Sequence, residues 1–186
     1  MRITKYLRTD QETIVHFLDM LGVASSMLSG NKRAGPGFFI FAYTFMHEFI
    51  EGSFFKKEEL LFTALEDSGF PTEDGPVAAM RAEHVKSKES SEHMHNAAKG
   101  WQGGDEEARG EVGWATSEYT LTLRQHLDRL NNRIFPLLEQ NMSDEDEHKI
   151  AEGLNTIAFE KSMKKDEEDK YIKLVKSLED ELSNWK

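Results

Sequence analysis

Most of the residues that interrupt a helix fall in a few short clusters in this chain. They are Gly30-Asn31-Lys32-Arg33-Ala34-Gly35-Pro36-Gly37, Ser68-Gly69-Phe70-Pro71, Asp74-Gly75-Pro76 and Trp101-Gln102-Gly103-Gly104. The 186 residues hold only four prolines, and the long intervals between the clusters are rich in Leu, Glu and Lys. Few runs alternate apolar with polar residues, so the pattern predicts an all-α protein. A chain of this length suffices for one domain with a sizeable core, and no linker or internal repeat divides residues 1–186.

The helix boundaries follow from capping chemistry. Thr9-Asp10-Gln11-Glu12 has the form of a capping box opening a first helix through Ile14, Val15, Leu18 and Leu21 to about Leu28. A second helix, rich in phenylalanine, is expected from about Phe38 to Asp67. Pro76 suits the first position of a third, which continues to about Lys99. The fourth begins near Asp105, weakened at its start by Gly110 and Gly113, and carries Leu121, Leu123, Leu127, Leu130 and Ile134 to about Pro136. Long helices with short connections favour an antiparallel up-down-up-down four-helix bundle, over about 7–141. Ser143 caps a fifth helix through Ile150, Leu154, Ile157 and Phe159. A sixth carries Tyr171, Leu174, Val175, Leu178, Leu182 and Trp185. These two accessory helices, about 143–186, are expected to pack outside the bundle.

Charge and composition exclude several functions. A formal net charge of -11 with no basic stripe argues against nucleic acid. The acidic runs Asp105-Glu106-Glu107, Asp144 to Glu147 and Asp166 to Asp169 fall at expected helix starts, where they complement the macrodipole. The start MRITKYLRTDQ lacks an apolar signal region. The longest apolar stretch, Phe38 to Ile50, is interrupted by Thr44, His47 and Glu48 and is too short for a bilayer, so the expected location is the cytoplasm. No cysteine is present, which leaves only N and O ligands for any metal. No nucleophile with an adjacent base, phosphate loop or cofactor fingerprint points to an enzyme.

The chemistry-bearing residues are histidines. His16, His47, His84 and His126 fall on four different expected helices, and inward His and carboxylate side chains are how bundles hold iron or manganese. In an antiparallel bundle, residues equally distant from a turn share a height. Reflection through the connecting turns groups Glu58, His84 and His126, with Glu59 beside them, in a lower tier. His47 lies higher on its helix by roughly 15 Å at ~1.5 Å per residue. Reflection groups it instead with His16 and Glu51, near Tyr119, in an upper tier. Each tier is a two-His, one-carboxylate set of the kind that binds non-haem Fe(II). The ordinary reading of His47 and Glu51 is a helix-stabilising i, i+4 pair. His16 borders the apolar stripe of its helix, and His93, His95 and His148 read as surface or structural residues.

Several segments resemble the hemerythrin-like family of HHE cation-binding domains. FIEGSFFKKEELLF, Phe49 to Phe62, is similar to that family's second-helix pattern of paired histidines, Lys-Glu-Glu and Leu-Phe. Gly75-Pro76-Val77 followed by Met80 and Glu83-His84 resembles its most specific signature. Leu7-Arg8-Thr9-Asp10-Gln11 and His126-Leu127 through Arg133-Ile134-Phe135-Pro136 resemble its first and fourth helices, so that the likeness spans about residues 7–160. The resemblance implies oxygen or nitric oxide binding and sensing, iron handling, or, as in some members, repair of damaged iron centres. It also implies that Gln11, Phe54, Phe55 and Leu130 stand where the family carries ligands. Glu58, His84 and His126 are then the ligands retained, and a full oxo-bridged di-iron site is not expected.

Two functions from different classes follow, with a third beside them. One is a metal-binding protein with non-haem iron in a reduced or relocated His/carboxylate site, open to a small diatomic ligand. The other is a haem protein, in which the phenylalanines leave an apolar slot between histidine-bearing helices. The third is a metal-free scaffold for protein interaction. Haem absorption separates the first two, and metal content separates the third.

Overall fold

The computed structural model describes residues 2–162 and 167–186, and among these every element is helical and none is a strand. Six helices follow one another and form a helical bundle. Helix α1 is Arg2–Met27. Helix α2 runs over 36–67 as an α segment Pro36–Phe45, a wider π segment Met46–Phe54 and a second α segment Phe55–Asp67. Helix α3 is Pro76–Gln102. Helix α4 runs over 108–141 and contains its own π segment at Leu130–Ile134. Helices α5, Asp144–Ser162, and α6, Glu167–Trp185, complete the chain.

Local chemistry explains the ends. Pro76 takes the first turn of α3, where a missing N–H costs nothing, after Gly75 at a φ of 95°. Ser143 opens α5 with a reciprocal cap: the Asp146 backbone N–H donates to Ser143 Oγ (3.2 Å), and Ser143 N–H donates to Asp146 Oδ2 (3.0 Å). Of the acidic run from Asp166 to Asp169, Asp166 and the side chains of the other three fall outside the described residues.

The start of α1 differs from the expectation. Thr9 to Glu12 lie inside the helix, which begins at Arg2 because the buried stripe extends back through Leu7 to Ile3. Asp10 is a partly buried ion-pair partner instead of a cap component, accepting a hydrogen bond from the buried Lys57 Nζ at 2.5 Å.

Helix α3 packs along α4 and against the first part of α2, while α1 packs along α4. The core is aromatic and aliphatic: Phe17, Phe38, Phe39, Phe45, Phe54, Phe62 and Phe135 are fully enclosed. Helix α5 lies on the second half of α2, where Gly153 leaves room for Leu60. Helix α6 crosses α1 and α2, setting Trp185 against Phe38 and Phe39 and Tyr171 against Phe45 and Phe49. Their apolar stripes behave as the sequence pattern requires at Ile150, Leu154, Tyr171, Leu174, Leu178 and Leu182, all buried. Phe159 is an exception and faces outward. Among the described residues, no helix is long and apolar enough to cross a membrane.

Candidate metal centre

Three helices deliver one side chain each to a point in the core. Glu58 comes from the first turn of the second α segment of α2, His84 from the third turn of α3, and His126 from α4 one turn before its π segment. Glu58 and His126 have no exposed surface and His84 has almost none. His84 Nε2 lies 2.6 Å from Glu58 Oε2, and His126 Nε2 lies 2.9 and 3.0 Å from the two Glu58 oxygens. These three form a compact His/carboxylate group, with one ligand atom from each lying within 4.8 Å of the others.

The surroundings fix both rings. Phe55 stacks on His84 with ring centres 3.8 Å apart, and Phe62 meets the same ring obliquely. Behind His126, Nδ1 donates to Glu83 Oε2 at 2.9 Å, and Glu83 is held in turn by Arg129 at 2.8 Å. A carboxylate on the far nitrogen sets the ring's orientation and leaves Nε2 pointing at Glu58, which is how histidine ligands are positioned behind metals.

The electrostatics are those of a buried ionic triad. Burial alone opposes charge on both Glu58 and His126. For Glu58 it is outweighed by the two imidazoles, which hold its carboxyl below the usual range. Burial likewise pulls His126 down, but Glu58 and then Glu83 overcome it and raise the imidazole to about 9. Both ring nitrogens of His126 face carboxylate oxygens, so the metal-free ring is an imidazolium donating on both sides. A buried carboxylate with no partner would cost several kcal/mol, roughly the penalty for an unpaired buried charge; here each oxygen is satisfied.

The residues fit a metal ion. At bond lengths of ~2.1 Å, ligand atoms 90° apart sit ~3 Å from each other; Glu58 lies 2.9 Å from His126 and 2.6 Å from His84, and all three ligand atoms fall within 4.8 Å, so small side-chain shifts would admit an ion among them. One carboxylate and two neutral imidazoles are the donor set used for non-haem Fe(II).

The upper group does not converge. His16 projects toward α6, where Nε2 meets Glu179 at 2.6 Å on the surface, because the buried face of α1 is Leu7, Gln11, Ile14, Leu18 and Leu21. His47 is 62 % exposed at its side chain. The π turns from Met46 to Phe54 are the reason: with i→i+5 bonding, each residue advances less around the axis than in an α turn, so the inward face is re-phased. Gly52 serves the same wide turn, since a Cβ there would come within 3.1 Å of the His47 carbonyl. His47 Nδ1 reaches only Glu51 (3.3 Å), as an ordinary i, i+4 pair. The Glu51 side chain is largely enclosed, at 7 % exposed, and accepts a hydrogen bond from Ser91 Oγ at 2.7 Å. Tyr119 is fully buried. Glu59 also stands apart from the centre and pairs with Arg81. His95 stacks on Tyr43, while His93 and His148 pair with Glu111 and Glu152.

The substituted positions are packed. Phe54 and Leu130 are fully enclosed, each at the edge of a π segment, and Gln11 accepts a hydrogen bond from Asn131 Nδ2 at 2.9 Å. The groove of about 450 Å³ beside α1 is lined by Arg8, Gln11, Glu12, Val15, His16 and Asp19, and by none of the three central residues. The role of Glu83 behind His126 was the part least visible from sequence. Its signal was an acid adjoining His84 and therefore able to lean toward the facing helix.

A model of the hemerythrin HHE cation-binding domain family matches residues 2–138. No curated protein and no solved structure matches the chain.

Proposed function

We propose that this chain, which belongs to the hemerythrin HHE cation-binding domain family, holds a single non-haem iron ion between Glu58, His84 and His126. The observation that carries the reading is the arrangement at His126. Its Nδ1 is engaged by Glu83, so that Nε2 is directed at Glu58, beside His84, and becomes available on losing one proton. Three protein ligands leave other positions on the metal open, and iron there would bind O2 or NO reversibly, as a sensor or iron-handling protein requires.

The protein's own groups supply the rest. Phe55 and Phe62 wall off His84 with apolar surface, Arg129 holds Glu83 in place, and the Glu58 carboxylate would balance a bound cation. Enclosed packing at Phe54 and Leu130 favours this reading over haem, which would need those side chains displaced. The antiparallel up-down-up-down order, with the bundle over 7–141 and the last two helices outside it, is part of the proposal. It is supported by the packing of α3 along α4 and of α1 along α4.

The test is an optical and elemental analysis of protein expressed with iron and then exposed to NO without oxygen. About one iron per chain, no Soret band and new visible absorption with NO are expected. A Soret band would replace iron ligation by haem, and an oxo-bridged di-iron spectrum would contradict the loss of ligand positions.

A further inference from the structure

The outer surface of α3 and α4 carries large apolar residues that the fold leaves in water. Trp114 is 61 % exposed, Leu121 59 % and Val85 57 %. Trp114 and Leu121 stand seven residues apart on α4, so they share one line of the helix, roughly 10 Å apart at ~1.5 Å per residue. Two contacts fix how α3 lies beside that line. Trp114 meets His93 with ring centres 5.6 Å apart, and His126 pairs with Glu83. Counting inward from these two pairs brings Leu121 and Val85 within one helical turn of the same height, on either side of the seam between the helices.

Charge along this line is of one sign. Glu107, Glu111, Glu118 and Asp128 each lie within about a quarter turn of it at 3.6 residues per turn, and exposed Glu89 faces them from α3. Arg124 and Arg129 on the same stretch of α4 are already paired with Asp19 and Glu83. Among the described residues, that leaves Lys86 as the cation beside five carboxylates. An apolar line edged by carboxylates complements a helix with leucines on one face and lysines or arginines on its flanks. A second copy of this chain is a poor match. Set antiparallel with Trp114 opposite Leu121, it would bring the two Glu118 side chains together at the axis, between chains that each carry a formal net charge of -11.

We propose that this face docks a cationic amphipathic helix of a partner protein, with Trp114 and Leu121 as its apolar contacts and the flanking carboxylates as the match for its charge. Leucines at positions i and i+7 of such a helix repeat the spacing of Trp114 and Leu121. Tryptophan supplies the largest area for burial at a helix interface, and Trp114 has a clear face to offer. None of these contact residues belongs to the buried centre, so docking is independent of whether the centre holds metal.

The probe is a synthetic helix of about 18 leucine and lysine residues, with the leucines at i, i+3, i+4 and i+7 on one face. A peptide of the same composition with its leucines spread around the helix is the comparison. Binding is read from tryptophan emission, because Trp101 and Trp185 are already buried and Trp114 is the one in water. A blue shift at one peptide per chain, weakened by salt, is expected, with the amphipathic peptide binding at least tenfold more tightly than its comparison. Leu121→Ser and Glu118→Lys should each weaken it about tenfold or more, the size expected for a central contact. Phe41→Ser, which removes an exposed apolar residue of α2, should leave it unchanged. Equal binding of the two peptides would reduce the effect to general attraction by an acidic chain and overturn the docking face. Unaltered binding in Leu121→Ser, or equal weakening in Phe41→Ser, would do the same. A wild-type dimer in sedimentation that Leu121→Ser dissociates would assign the face to a second copy and also overturn it.

Discussion

The pairing of His126 makes the metal-free protein less stable in mild alkali. Burial opposes a charge on its imidazole, yet Glu58 and Glu83 outweigh burial and raise it from 6.5 to about 9. A folded-state value above the unfolded one means that the folded chain binds the proton more tightly. The resulting stabilisation is fully present below pH 6.5 and is lost as pH rises through about 9. Each tenfold gain in proton affinity is worth ~1.4 kcal/mol, so the loss is on the order of 3 kcal/mol. Glu58, held below its usual range, contributes in the opposite sense: its stabilisation is present above the ordinary carboxyl value and is lost in acid. The most stable interval should therefore lie between about pH 5 and 8. Urea unfolding of metal-free protein at half-unit intervals from pH 5 to 10 reads this directly. Subtracting the profile of Glu58→Gln removes other titrating groups, because that variant lacks the larger of the two charges acting on His126. A difference that stays flat from pH 6.5 to 9.5, or grows with pH, would refute the ionic triad.

The same proton competes with metal. Affinity for a divalent ion should rise about tenfold per pH unit from pH 6 to 8 as one proton is displaced from His126, and a pH-independent titration would contradict that exchange. Glu83→Gln should lower metal affinity by roughly 10- to 100-fold, the usual effect of losing a group behind a ligating histidine, while circular dichroism stays unchanged. Phe54→Ala should cost about 3 to 5 kcal/mol in chemical unfolding, because its fully enclosed ring is removed from a packed core; a nearly neutral result would mean that the position lines an open pocket. His16→Ala and His47→Ala should each leave metal content unaltered, and loss of metal in either would move the site to the upper group.

Helix content and the convergence of Glu58, His84 and His126 were legible because both depend on coarse spacing. Breakers such as Gly75-Pro76 and the Ser143 cap act locally, so their effect on the chain is decided within a few residues. His84 and His126 could be paired because their helices are separated by one short turn, over which small errors in rise do not accumulate. The upper group failed where that assumption failed. Met46 to Phe54 is not α-helical, and the change of phase turns His47 outward while keeping Glu51 and Phe54 inside. His16 failed for a second reason: its partner, Glu179, lies 163 residues away on α6, and no local pattern joins them. The start of α1 was misplaced because Thr9-Asp10-Gln11-Glu12 has the composition of a cap, whereas Ile3 and Leu7 continue the buried stripe and carry the helix through it. Glu83 could be seen beside His84 but not assigned to His126, since that depends on how far α3 and α4 are rotated toward each other.

The number of Fe(II) ions bound per chain, measured by anaerobic titration of the wild type and His84→Ala, tests the proposed centre most directly. One ion in the wild type and none retained in His84→Ala is the expected result, since a site with three protein ligands has none to spare. No binding by the wild type, two ions per chain, or an unchanged stoichiometry in His84→Ala would contradict it.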